Sequence, residues 1–378
     1  MSAAATSPQV MTAPTSRDTL PWVEKYRPST LEDVVAHEEI LSTLRKLMDT
    51  NNMPHLLFYG PPGTGKTTTV KACAAYLYGR DRIRANVLEL NASDDRGIDV
   101  VRNQIKEFSS TSSIFSGAFA RKPPAVAVDQ QAGVEGAAAP APPKPATSFK
   151  LVVLDEADQM SNEAQAALRR VIEKYTRNVR FCILCNHVNK VIPAVQSRCT
   201  RFRFAPVKKA QMVPRLMFIA QQENIPCDEA GIAAAYKLSN GDLRRCLNMI
   251  QAAALSHEKI TEDSVYQSTG NPTPKDIQSM LEIMCSKDYT SAMEDVQLLV
   301  QAKGASVVDI VREMYPLVMR MGIPQECHCF ILTKMADLEF YMASGTQESV
   351  ALAGLVGILQ LVRESLTSKV SIARLAKC

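Results

Sequence analysis

Residues 56–67 of the chain read Leu-Leu-Phe-Tyr-Gly-Pro-Pro-Gly-Thr-Gly-Lys-Thr. Four apolar residues typical of a buried strand lead into a glycine-rich loop, and a helical pattern follows from Thr68. The glycines allow a tight turn in which consecutive N–H groups and a helix N-terminus point at one phosphate cluster. The spacing G-x4-G-K-T predicts an ATP site in which Lys66 reaches the β- and γ-phosphates and Thr67 offers its hydroxyl to Mg²⁺.

Composition limits the class of protein. With 378 residues, 46% of them hydrophobic, the chain is long enough for two or three domains. It lacks an uninterrupted apolar run of about 18 residues, so we expect no membrane span. Residues 1–18 are rich in Ala, Ser, Thr and Pro, which predicts a disordered arm rather than a secretory signal. The net charge of +4 requires any nucleic-acid site to be a local patch.

A Pro/Ala-rich stretch interrupts the first half of the chain. Residues 121–148 contain six prolines and almost no large apolar residue, so they cannot contribute to a core. A strand-like run at Leu151–Leu154 follows directly, which makes 121–148 an insertion within one domain. Further strands are predicted at Leu56–Tyr59, Val87–Leu90, Arg180–Cys185 and Thr200–Phe204. Their alternation with helical patterns predicts a five-stranded parallel sheet wound by helices.

After Pro206 only helical periodicity remains. Three short helices are predicted at Gln211–Glu223, Asp228–Leu238 and Asp242–Leu255. Beyond Gly270, five more are predicted at Lys275–Ser286, Thr290–Lys303, Val307–Met321, Glu326–Ala343 and Gln347–Thr367. Their apolar positions are too many for free-standing helices, so we expect a bundle, part of which faces another subunit.

Asp155 and Glu156 form a second chemical motif at the end of a strand. In P-loop enzymes an acid at this position holds Mg²⁺ through water, and a neighbouring glutamate polarises the attacking water. We assign these roles to Asp155 and Glu156. Residues 155–158 also spell D-E-A-D, which suggests a helicase, but a helicase requires two tandem sheet domains and only helices follow.

Asn91 and Asn186 each follow a predicted strand. Asn186 is positioned to orient the attacking water near the γ-phosphate, although a turn residue explains it too. Asn91 is either a hydrogen-bond partner of Glu156 or a turn residue.

Two arginines suggest a site shared between subunits. Arg198 lies between a helical stretch and the last strand, on the sheet edge away from the loop, where it would serve a neighbour's ATP. Arg244 opens a helix after the sheet domain and would reach the γ-phosphate of its own chain. A surface salt bridge is the alternative for each.

Six segments together resemble the replication factor C small subunits. They are Trp22-Val23-Glu24-Lys25-Tyr26-Arg27-Pro28, the P-loop, Leu90-Asn91-Ala92-Ser93-Asp94, Asp155-Glu156-Ala157-Asp158, Ser197-Arg198-Cys199 and Gly241-Asp242-Leu243-Arg244-Arg245. The resemblance covers about residues 19–378 and is strongest to the eukaryotic type with an intact ATPase site. The arm 1–18 and the insertion 121–148 depart from the family pattern and affect no catalytic residue.

The resemblance implies an AAA+ ATPase of a clamp loader. Such a protein is one subunit of a heteropentamer that opens the sliding clamp PCNA and loads it onto primer–template DNA in the nucleus during replication and repair. The implied domains are an α/β AAA+ module at 19–205, a helical lid at 206–270 and an all-α collar at 271–378. ATP and Mg²⁺ are the implied cofactors.

The resemblance also assigns roles to residues. Asn186 would be sensor 1, Arg244 sensor 2, and Arg198 an arginine finger acting in trans. The implied nucleotide-binding set is Val23, Tyr26, Arg27 and Val35 around the adenine, with Gly60, Pro61, Pro62, Gly63, Thr64, Gly65, Lys66, Thr67, Thr68, Asn186 and Arg244. DNA contacts fall on Arg102, Lys106 and Arg170, for which a solvated helix face is the alternative. Clamp contacts fall on Phe108, Ile114 and Phe115, with ordinary core packing as the alternative.

Two other functions are weighed against this one. An adaptor that binds ATP only to hold its shape needs no water-activating acid, so Glu156 argues against it. A helicase loader or recombination ATPase of the same superfamily would not need the Ser197-Arg198-Cys199 segment or the collar-like C-terminus.

Overall fold

The computed structural model describes residues 20–79, 81–92, 98–110, 149–368 and 372. The predicted arm 1–18, the predicted insertion 121–148 and the clamp candidates Ile114 and Phe115 lie outside the described residues, as does the side chain of Arg102. The chain divides into two compact units. Unit 1 comprises Met1–Ile219 and Tyr236–Asn248, and unit 2 comprises Ala220–Ala235 and Met249–Cys378.

Unit 1 is built on a five-stranded parallel sheet, as predicted. The strands are β1 (Leu56–Tyr59), β2 (Val87–Asn91), β3 (Lys150–Asp155), β4 (Val179–Cys185) and β5 (Thr200–Arg203). Their order across the sheet is β2-β3-β4-β1-β5, so β1 lies between β4 and β5 although β2 follows it in sequence. Each strand lies within one residue of its predicted bounds. For the central strands β1, β3 and β4 this agreement follows because short runs of buried β-formers are typical of parallel strands.

Helices cover both faces of the sheet. The helices of the sheet region are α1 (Trp22–Lys25), α2 (Glu38–Asp49), α3 (Lys66–Tyr78), α4 (Ile83–Asn86), α5 (Ile98–Ser110), α6 (Asn162–Tyr175) and α7 (Pro193–Gln196). Leu56 and Phe58 pack with residues of α2 and α3, whereas Leu57 packs with residues of α5 and α6. This alternation along β1 follows from the two-residue period of a strand. Cys182 and Cys185 likewise face opposite layers.

The two ends of the parallel strands define two edges of the sheet. At the carboxyl edge, Tyr59 pairs with Cys185 and Asn91 pairs with Asp155, so the P-loop, Glu156 and Asn186 all follow strand ends on this side. At the amino edge, the backbone N–H of Thr200 donates to the carbonyl of His55 across 2.8 Å. Because ligands of open α/β sheets bind at the carboxyl ends of the strands, we expect the ligand site at the carboxyl edge.

Nine helices follow β5 among the described residues. They are α8 (Lys209–Gln222), α9 (Glu229–Ser239), α10 (Leu243–Ser256), α11 (Glu262–Thr269), α12 (Pro274–Ser286), α13 (Tyr289–Lys303), α14 (Val307–Val318), α15 (Gln325–Ala343) and α16 (Glu348–Ser368). Eight of them match predicted helices. The sequence pattern missed α11, an eight-residue helix that a capping box between Thr261 and Ser264 initiates.

The helices from α12 to α16 enclose the core of unit 2. Among the described residues, α16 has the length and composition of a membrane-spanning helix, with a mean hydropathy of 1.4. Its Leu352, Leu355 and Leu359 nevertheless pack in this core together with Ile277 and Ile310. The apolar character of α16 is therefore accounted for by packing inside the unit.

Candidate functional site

The P-loop lies between β1 and α3 and presents backbone N–H groups. Gly65 precedes α3 with φ of 92°, and no side chain caps the helix N-terminus. A Cβ atom placed on Gly65 would meet no atom within 4 Å, so the space in front of this backbone is open. The first N–H groups of a helix have no partner within it and favour anions. The loop therefore fits a phosphate group.

The Lys66 ammonium is buried and fully hydrogen-bonded. It donates to the carbonyls of Gly60 and Pro61 at 2.7 and 2.9 Å, and to Asn186 Oδ1 at 2.8 Å. Burial lowers the pKa of Lys66, and nearby carboxylates, chiefly that of Asp155, oppose the shift. These three acceptors hold the cation beside the P-loop.

The side chains of Thr67 and Asp155 place two possible metal-ligand oxygens next to each other. Thr67 Oγ1 donates to Asp155 Oδ2 across 3.0 Å, and Asp155 Oδ1 accepts from the backbone N–H of Glu156 at 2.9 Å. Hydroxyl and carboxylate oxygens are the ligands that Mg²⁺ prefers. The pair therefore fits a magnesium ion that is bound mainly through water and nucleotide.

Glu156 has an unusual backbone conformation. Its φ and ψ of 53° and 37° place it in the left-handed region, which few residues other than glycine adopt. The strand ends at Asp155 and a 3₁₀ turn begins at Ala157, so Glu156 is the single residue that connects the two elements at the carboxyl edge. Such backbone strain is common at functional sites, and Glu156 lines the cavity at this edge.

The loop that carries Asn186 is held on two sides. Asn186 Oδ1 accepts from Lys66, and the backbone N–H of His187 donates to Asp158 Oδ2 at 3.1 Å. Asp158 is 7% exposed, and its second oxygen is buried without a hydrogen-bond partner among the described residues. With Oδ1 occupied, the Asn186 amide is left to present its NH₂ group as a donor. That orientation suits an attacking water or a phosphate oxygen.

A cavity of about 250 Å³ lies at this edge of the sheet. Of the predicted nucleotide-binding residues it is lined by Val23, Tyr26, Arg27, Val35, Pro62, Gly63, Thr64, Gly65, Lys66, Thr67, Thr68, Asn186 and Arg244, together with Asp155 and Glu156. Gly60 and Pro61 do not line it. Gly60 lies against Phe204, whose carbonyl oxygen would be 2.0 Å from a Cβ atom at position 60. The carbonyls of Gly60 and Pro61 instead accept hydrogen bonds from Lys66.

The cavity has a helical wall that no motif predicted. Met212, Arg215 and Ile219 of α8 line it, and Leu247 of α10 also lines it. Arg215 Nη2 donates to the carbonyl of Tyr26 across 3.2 Å, which ties α8 to the predicted adenine segment. The spacing of three and four residues along α8 marks one helix face. This periodicity is the sequence signal for the α8 face, and it does not distinguish a face that lines a ligand cavity from one that packs in a core.

Arg198 is absent from the cavity lining. It lies at the amino edge, where its guanidinium forms an ion pair with Glu173 at 2.6 Å and donates to the carbonyl of Ala194 at 2.6 Å. Glu173 also pairs with Arg169 at 3.2 Å. The sheet therefore separates Arg198 from the P-loop of its own chain, while Arg198 remains on the surface.

The predicted DNA and clamp residues lie around α5 and α6. Lys106 on α5 and Arg170 on α6 are exposed, and the two helices pack against each other. Phe108 is half-buried, and Lys150 lies 4.4 Å from its ring centroid and donates to its carbonyl at 2.9 Å. Asn91 is half-buried at the end of β2, and its predicted bond to Glu156 stays a prediction.

Two family models match the chain. The model described as ATPase family associated with various cellular activities (AAA) matches residues 56–207, which contain the sheet and the P-loop. The model described as Replication factor C C-terminal domain matches residues 272–357 within the helical core of unit 2. The fold and the site thus define an AAA ATPase with a helical C-terminal domain.

Similar proteins narrow the family. Replication factor C subunit 5 of Mus musculus is 45% identical over 98% of this chain and all of its own length. The subunit 5 of Homo sapiens is 43% identical over the same shares of the two chains. The probable subunit 5 of Dictyostelium discoideum is 44% identical over 92% of each chain. The chain belongs to the replication factor C subunits, as its sequence motifs predicted.

Proposed function

We propose that the chain is an ATP-hydrolysing subunit of a replication factor C clamp loader. The main support is that the P-loop, Asp155, Glu156 and Asn186 line one cavity in a chain of this family. Its relatives are named as subunits, so the chain works in a hetero-oligomer with other replication factor C subunits. We propose further that this assembly opens PCNA and loads it onto primer–template DNA in the nucleus.

The chain's own residues divide the chemistry of ATP hydrolysis. When bound, Mg²⁺ would neutralise negative charge on the nucleotide phosphates. Thr67 and Asp155 would hold that ion, and Lys66 would pair with the phosphates. Glu156 accepts a proton from the attacking water, which Asn186 orients through its amide NH₂ group. Val23, Tyr26, Arg27 and Val35 surround the adenine.

Arg198 acts on the ATP of a neighbouring subunit. Its position at the amino edge supports this role, because the cavity of its own chain lies at the other end of the strands. An arginine finger stabilises the charge of the transition state and contributes about 10³ to 10⁵ in rate. Hydrolysis would therefore depend on assembly.

The remaining assignments follow the family resemblance. We propose an AAA+ module at 19–205, a lid at 206–270 and a collar at 271–378. Lys106 and Arg170, exposed on packed helices, support a phosphate-contacting surface to which Arg102 would add. Phe108, half-buried with Lys150 over its ring, would contact the clamp together with Ile114 and Phe115.

The experiment that tests the proposal is a steady-state ATPase measurement. We expect slow turnover by the chain alone, a large increase in the assembled complex with clamp and primed DNA, and a loss of that increase with Arg198→Ala. Arg201→Ala is the matched control, because Arg201 is an exposed arginine at the same edge. Full activity of the isolated chain, or an unaffected Arg198→Ala complex, would refute the trans-acting role.

A further inference from the structure

Asp242 lies directly on the P-loop. A Cβ atom added to Gly63 would be 1.6 Å from Asp242 Oδ1 and 2.8 Å from Oδ2, so the carboxylate occupies the space that a side chain at position 63 would need. Gly63 also has a φ of 65°, in the region that favours glycine. The contact between these residues is therefore possible only because position 63 is a glycine.

Asp242 also initiates α10. Its Oδ1 accepts from the backbone N–H of Arg245 at 3.0 Å, which is the bond of an N-capping residue. The backbone N–H of Leu243, the first residue of α10, donates to the carbonyl of Gly63 at 3.2 Å. One residue thus caps the helix, and the next bonds the helix to the P-loop.

The segment before Asp242 is anchored as well. Gly241 has a φ of 82°, and a Cβ atom there would be 2.7 Å from Pro206 Cβ. Its carbonyl accepts from the backbone N–H of Val207 at 3.1 Å. The start of α10 is consequently held between residues 206–207 and Gly63, and Arg244, which lines the cavity, is the next residue along.

We propose that Asp242 is a positioning residue that aims Arg244 at the nucleotide by docking the N-terminus of α10 onto Gly63. The inference rests on the proposed contact between Arg244 and the phosphates. A carboxylate beside a phosphate-binding loop opposes anion binding by its charge, so the contribution of Asp242 is geometric. Asparagine would keep the capping oxygen and the shape while removing the charge.

A double-mutant cycle in the full chain tests the proposal, with ATPγS affinity as the measurement. We expect Arg244→Ala to weaken binding about 10-fold or more, because hydrogen bonds to charged groups contribute on the order of 10- to 100-fold. Asp242→Ala should weaken binding about fivefold alone and less than about twofold in the Arg244→Ala background. Asp242→Asn should bind within about twofold of the wild type, or more tightly.

A matched control separates positioning from stability. Asp288 caps α13 by accepting from the Ser291 N–H at 3.3 Å, so Asp288→Ala removes the same kind of cap in unit 2. It should lower the melting temperature without changing ATPγS affinity. Equal losses from Asp242→Ala in both backgrounds would overturn the positioning role. No loss from Arg244→Ala would instead refute the proposed phosphate contact, and the two failures are therefore distinguishable.

Discussion

The two edges of the sheet in unit 1 differ in the burial of their cationic side chains. At the carboxyl edge, the Lys66 cation is 8% exposed and has three acceptors, one of them Asn186. At the amino edge, Arg198 is exposed and shares the exposed Glu173 with Arg169. A buried cation needs its acceptors, whereas an exposed ion pair contributes little to stability and exchanges readily with solvent.

This difference matches the two proposed roles. A group that serves the chain's own nucleotide is placed in advance by surrounding backbone, so that few rearrangements accompany binding. A group that serves a neighbour must remain accessible until the neighbour arrives. The amino edge also contains the buried side chain of His55.

Removing the buried cation should have the largest effect on nucleotide affinity. Lys66→Ala loses charged hydrogen bonds to the phosphates and should weaken ATP binding by about 100-fold or more, measured by titration of the full chain. Lys71→Ala is the control, because Lys71 lies on the same helix but pairs with Glu89 at the surface. Unchanged affinity in Lys66→Ala would contradict the site.

Neutralising the strained acid at the carboxyl edge should separate catalysis from binding. Glu156→Gln keeps the side-chain shape but cannot accept the proton, so hydrolysis by the assembled complex should fall by about 10² to 10⁴. The affinity for ATP should stay within about twofold. Glu163→Gln, an exposed acid in the first turn of α6, should change neither quantity. A parallel loss of affinity would argue for a binding role instead.

The buried histidine at the amino edge should make stability depend on pH. His55 Nδ1 accepts from the Phe181 N–H at 3.1 Å, and its Nε2 lies 3.3 Å from Thr176 Oγ1. Burial, with the nearby Arg180 charge, lowers the pKa of His55 from 6.5 to about 4. The unfolded chain therefore binds the proton more readily between these values.

The stabilisation from neutral His55 is complete above pH 6.5 and is lost as the pH falls towards 4. The full loss is about 3 kcal/mol of unfolding free energy. Urea unfolding at a series of pH values should show this slope in the wild type and a smaller one in His55→Gln. The exposed His187→Gln variant should keep the slope. Identical slopes in all three proteins would exclude His55 as its source.

Breaking the exposed ion pair at the amino edge should have the smallest effect. Glu173→Ala frees Arg198 from one exposed partner, so the ATPase rate of the assembled complex should change by less than about fivefold. Arg169→Ala, which removes the other partner of Glu173, is the comparison. A loss as large as that of Arg198→Ala would mean that Glu173 is required to orient the arginine.

Much of the carboxyl edge is predictable because its determinants are contiguous. The loop spacing, the strand before it and the Asp155-Glu156 pair are each local patterns, and parallel strands place their ends on one side. Asp158, Arg215 and Asp242 were not assigned roles from the sequence. Asp158 binds the backbone of His187, Arg215 binds the carbonyl of Tyr26, and such partners have no fixed spacing along the chain.

The strands of the sheet, the nucleotide ligand and the family were predictable from local sequence, because a phosphate loop and a buried strand are short-range patterns. The packed fold was needed to show that the carbonyls of Gly60 and Pro61 accept from Lys66 and that Gly63 lies against Asp242. The physical reason is that close contacts between distant segments depend on how the layers pack. Arg198 depends on both the local sequence and the fold. Its motif is local, but its distance from the P-loop of its own chain follows from the order of the strands.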